Sequence, residues 1–100
     1  MQPRSEGMMT IAEFRALSAN QLEGVLLALW WDGKGDWNKA HEVAQDVAGP
    51  DGAWVHAYLH RKEGNESNAA YWYRRASRTF PKDDLEAEWA TIVEEMLARG

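Results

Sequence analysis

His56 and His60 stand four residues apart, the spacing that puts two imidazoles on one face of a helix and lets them share a metal ion. A third histidine, His41, lies on the helix expected before them, and Glu42 and Glu63 are the nearby carboxylates. Three histidines that leave one position open describe a catalytic zinc site, with zinc or another transition metal as cofactor and His41, His56 and His60 as ligands. The same rings can serve without a metal. An imidazole hydrogen-bonded through one nitrogen is a flat filler between helices, and on that reading there is no cofactor. No Glu directly follows His56, so the metalloprotease helix motif is absent and hydrolysis is not supported.

Other candidate chemistries are weaker. Ser5, Ser18, Ser67 and Ser77 have no nucleophile-elbow context, and Gly33-x-Gly35 lacks the strand that a phosphate loop requires. Asp32 and Asp36 are too sparse for a calcium loop. No enzyme class follows. The chain has no cysteine, which excludes disulfides and thiolate metal sites and fits a reducing compartment.

Charge narrows the partners. A net charge of −5 argues against a nucleic-acid binder, because phosphate contacts need clustered Lys and Arg. The distribution is uneven: residues 57–82 carry six basic and two acidic side chains, whereas residues 83–100 carry one and six. Either the acidic C-terminal segment lies against the basic middle, both faces are solvated, or the basic region receives an acidic partner. The longest apolar run, residues 25–31, is far below the roughly 20 residues a spanning helix needs, and residues 1–10 lack the apolar stretch of a signal peptide. A soluble, cytoplasmic protein without a membrane partner is expected.

The elements that must position these residues are helical throughout. Residues 1–9 lack periodicity and are expected to be disordered or loosely docked; residues 10–100 read as one all-α domain. Thr10-x-x-Glu13 is a capping box that starts a first helix, and Ser18-x-x-Gln21 repeats the signal before a second over about 19–32. Asp36 is placed to cap a helix over 37–48, and Asp51 to cap one over 53–63. Gly64-Asn65 turns into a helix over 66–78. Asp83-x-x-Glu86 then caps a last helix in which Leu85, Trp89, Ile92, Val93 and Met96 face inward while Glu86, Glu88, Glu94 and Glu95 face water.

The chain also repeats itself. Gly35-Asp-Trp-Asn-Lys-Ala40 overlays Gly64-Asn-Glu-Ser-Asn-Ala69 at an offset of 29 residues, which also carries Trp31 onto His60 and Ala28 onto Ala57. With Ala53, His56, Tyr73, Ala76 and Pro81 in the second copy and Gly24, Leu27, Ala44 and Val47 in the first, residues 20–81 resemble the tetratricopeptide (TPR) repeat and its short Sel-type relatives. The central run is also similar to one in short bacterial TPR-like proteins. The resemblance implies about five to six helices in antiparallel hairpins with a C-terminal capping helix.

It further implies a non-enzymatic protein-interaction module. In such a stack His41 faces helix 53–63, while Trp54, Tyr58, Arg61 and Lys62 turn toward the concave side, where flat aromatics and cations suit a protein or acidic peptide. Trp54 and Tyr58 can instead pack beneath the first helices. Arg74, Arg75 and Arg78 form either a solvated face or part of the same partner surface. Two repeats are fewer than a free solenoid usually needs, and with six tryptophans in the chain a homodimer is one way to complete the core.

Overall fold

The computed structural model describes residues 9–99, so the expectation for residues 1–8 falls outside the described residues, while Met9 packs against the core. Every regular element among the described residues is helical. The capping box at Thr10 forms as its spacing requires: Glu13 N donates to Thr10 Oγ1 at 3.1 Å and Thr10 N to Glu13 Oε1 at 2.9 Å. It opens α1 (Ile11–Arg15), whose Phe14 is fully buried.

The second start signal works over a shorter span than expected. Ser18 N donates to Gln21 Oε1 at 2.8 Å, but the segment makes only a 3-10 turn, Ala19–Gln21, before Leu22 and Glu23 become extended. Gly24 then takes φ +65, a left-handed conformation that interrupts a continuous helix. Helix α2 is therefore Gly24–Gly33.

Two hairpins follow. A turn over residues 34–36 joins α2 to α3 (Trp37–Gln45), and a turn over 63–65 joins α4 (Gly49–Lys62) to α5 (Glu66–Arg75). The 29-residue repeat is visible atom by atom. Gly35 and Gly64 have φ +88 and +92, and Asp36 and Asn65 each accept the amide three residues on, at 3.1 and 3.3 Å. Ala28, Ala57, Ala40 and Ala69 are all fully buried, small residues where helices must approach closely.

Four boundaries after α2 differ from expectation, the first being that α3 ends at Gln45, short of residue 48. Helix α4 begins at Gly49, with Ala48 at the cap and Asp51 in the first turn, because Pro50 tolerates the start of a helix, where its missing N–H is not required. Helix α5 stops at Arg75, where Ser77 enters the left-handed region at φ 60. The last helix, α6 (Leu85–Arg99), is capped by Asp84, whose Oδ1 accepts from Ala87 N at 2.8 Å. Asp83 is engaged differently, its backbone carbonyl accepting from Arg61 Nη2.

Helix α4 is the central element, buried continuously from Gly52 to His60. Helices α3 and α5 flank it, and α6 packs on α1, α2 and α4, with Trp89 Nε1 donating to Leu29 O at 2.9 Å. No helix of the described residues is long and apolar enough to cross a membrane.

Candidate metal centre

The three histidines converge where α3, α4 and α5 meet. On α3, Trp37 fixes the approach: its Nε1 donates to Leu59 O of α4 at 2.8 Å, and its ring stacks on His41 one turn later, with centroids 4.9 Å apart and planes at 11°. On α4, the i,i+4 pair His56 and His60 stacks at 4.8 Å. From α5, Trp72 covers His56 at 4.1 Å and 12°. Ala40 and Ala44 keep the α3 face small enough for the imidazoles to meet.

One ring nitrogen from each histidine lies within 4.8 Å of the other two, and His41 Nε2 stands 3.1 Å from His56 Nε2. A tetrahedral zinc with bonds of about 2.0–2.1 Å separates its ligand nitrogens by about 3.4 Å. One pair is thus already at ligand spacing, and the widest must close by somewhat more than an ångström. Glu63 Oε2 meets His60 Nδ1 at 2.6 Å. A carboxylate on Nδ1 holds the proton there and leaves Nε2 with its lone pair, the second interaction that metal-ligating histidines ordinarily have. Glu42, beside His41 in the chain, is exposed and does not join the group.

Electrostatics favour neutral rings. His56 is 9% exposed, and burial first, then the proximity of His41 and His60, pushes it down to about 4. Burial and His60 also lower His41, against an opposing pull from Glu63. Desolvation works against the imidazolium form, so at neutral pH these two rings offer lone pairs without first losing a proton. A cysteine-free, all-imidazole donor set suits zinc, copper, nickel or iron.

The residues expected to face a partner divide into two groups. Trp54 and Tyr58 are 4% and 2% exposed. Tyr58 Oη donates to Asp32 Oδ2 at 2.7 Å, and Lys62 Nζ meets Asp32 Oδ1 at 2.9 Å. Glu88 gathers the others, accepting from Tyr73 Oη at 2.6 Å, Arg61 Nη1 at 2.8 Å and Trp54 Nε1 at 3.3 Å. Arg74 and Arg75 are exposed on α5, with the Arg75 guanidinium over Trp72 and Tyr71.

The sequence reading missed Asp32 and Glu88 as buried organisers. Glu88, expected to face water, is 3% exposed. Its position carried the signal: it lies three residues after Leu85 and four before Ile92, on the inward stripe itself. The roles of Trp37 and Trp72 as walls of the histidine cluster were also missed, although Trp37 is the i−4 neighbour of His41. No family model matches the chain, and no curated protein or solved structure matches it either.

Proposed function

We propose that the protein binds one transition-metal ion, zinc or a neighbouring first-row metal, through His41, His56 and His60. The observation that carries this reading is the convergence of three ring nitrogens within 4.8 Å. Glu63 on the far nitrogen of His60 and the depressed basicity of His56 support it, because both favour free lone pairs. A fourth position is left for water or a substrate atom. Native mass spectrometry with elemental analysis tests the proposal: one ion per chain is expected, lost in His41→Ala, His56→Ala and His60→Ala with helicity retained. Wild-type protein that stays metal-free in micromolar zinc, cobalt and copper overturns it.

A second reading is an interaction module of the TPR type, binding a protein or acidic peptide. It is favoured by the outer face of α5, where Tyr71 is 44% exposed beside Arg74 and Arg75. Cross-linking to an acidic partner that is lost in an Arg74→Glu/Arg75→Glu variant supports it, and partner capture unchanged by that variant sinks it. Sedimentation of the free protein tests the homodimer. The cytoplasm, suggested by the absence of cysteine, is the compartment proposed with either reading.

A further inference from the structure

Beside the histidine cluster, the crossing from α3 to α4 borders an open cavity of about 340 Å³. Its walls have distinct chemistry. Val47, Pro50, Ala53 and Trp72 make an apolar lining, Arg75 supplies a cation, and no Asp or Glu lines it. Of the three histidines, only His56 reaches it.

His56 lines the cavity and has one ring nitrogen uncommitted. Its Nε2 is turned on His41 at 3.1 Å, while its Nδ1 has no hydrogen-bond partner among the described residues and, since no buried side-chain nitrogen among them lacks one, that edge is open to solvent. A solvent-accessible ring nitrogen on a cavity wall is free to pair with a ligand atom or water. Arg75 is also uncommitted. Its guanidinium lies 5.4 Å over Trp72 and its Nη1 is 3.4 Å from Tyr71 Oη, and no carboxylate among the described residues pairs with it. The first turn of α4, which Ala48 leaves without a side-chain cap, borders the same rim through Gly49 and Pro50.

We propose that this cavity is a binding site for a small organic carboxylate, whose oxygens accept from Arg75 and from His56 Nδ1–H while its carbon body lies against Trp72, Pro50 and Ala53. The charge of the rim selects an anion. The apolar lining selects one with a hydrocarbon or aromatic part, and the fork of a guanidinium matches a planar carboxylate. Binding fixes the Nδ1–H tautomer of His56 and leaves Nε2 as the acceptor toward His41. The proposal does not rest on the metal reading, since the carboxylate needs only Arg75 and one edge of a neutral imidazole.

Benzoate is the probe, added to chelator-treated, metal-free protein at pH 7. Calorimetry follows affinity, and long-range nitrogen–proton NMR follows the two ring nitrogens of His56. Saturable binding with a shift of His56 toward the Nδ1–H form is expected. Arg75→Met should weaken it at least about tenfold, the loss of one charge-assisted hydrogen bond, and benzamide, equal in shape but uncharged, should bind at least as weakly as benzoate does to that variant. Any of four results overturns the proposal: no binding at millimolar benzoate, equal binding of benzamide, inorganic phosphate binding in place of benzoate, or an unchanged His56 tautomer on saturation. Because the metal is absent throughout, none of these bears on whether the three histidines hold an ion.

Discussion

His56 is held neutral by its surroundings, and that has a consequence for acid stability. In the unfolded chain its pKa is the ordinary 6.5, whereas in the fold burial and the other two histidines bring it to about 4. Between these values the unfolded state binds more protons, so stability that is fully present above pH 6.5 is lost as pH falls toward 4. At about 1.4 kcal/mol per unit the loss approaches about 3 kcal/mol, and the lowered His41 adds to it in the same direction. Urea melts of the metal-free protein at stepped pH measure this. His56→Leu should flatten the dependence between pH 6.5 and 4.5, and equal slopes in wild type and variant would show that His56 contributes nothing. Glu88 is the opposite case, a buried charge satisfied by three donors. Glu88→Ala leaves the Arg61 guanidinium with only the Asp83 carbonyl and strands the Trp54 Nε1 and Tyr73 Oη donors, and a loss of about 3–5 kcal/mol in urea is expected. Tyr58→Phe removes one bond to Asp32 while Lys62 remains, and should lose only about 1–2 kcal/mol.

Among the elements, the crossing from α3 to α4 is the most constrained. A Cβ added at Gly52 would stand 2.0 Å from Val47 O, a backbone atom that cannot move aside without carrying the end of α3 with it. Gly52→Ala should therefore destabilise by about 3 kcal/mol, although alanine is the better helix former. An unchanged urea midpoint would mean that the crossing is loose. Much of this level was legible in the sequence because its turns are written in local chemistry: Gly35-Asp36 and Gly64-Asn65 announce themselves by residue type, and the apolar spacing supplies the rest. The boundaries that escaped were decided by non-local contacts. Asp83 and Asp84 are equal as caps on paper, and only the hold of Arg61 on the Asp83 carbonyl separates them. Nor does residue type reveal that Glu88 is buried, since its partners Trp54, Arg61 and Tyr73 come from α4 and α5. The histidine triplet was readable for a simpler reason: two members are helical neighbours, and the third lies on the adjoining helix.

For the whole molecule, the position of that triplet matters more than its ligand count. His41 belongs to the α2–α3 hairpin, and His56 and His60 to the α4–α5 hairpin, so an ion held by all three ties the hairpins together. Without it the two are joined by the packing of α3 on α4, by Asp32 of α2 with Tyr58 and Lys62 of α4, and by α6, which reaches α2 through Trp89 and α4 through Glu88. A ligand that binds only the assembled form stabilises it by RT ln(1 + [L]/Kd), about 2.7 kcal/mol at a hundredfold excess over Kd. In a domain of this size each kcal/mol is worth roughly 4–8 °C, so saturating zinc should raise the melting temperature by roughly 10–20 °C. His41→Ala tests the bridge itself. It removes the one ligand from the first hairpin and leaves the i,i+4 pair on α4, which could still hold an ion weakly within a single helix. If the ion works as a tie between hairpins, His41→Ala loses nearly all of the thermal shift even where residual zinc remains bound. A full shift in that variant would place the ion on α4 alone and remove His41 from the site.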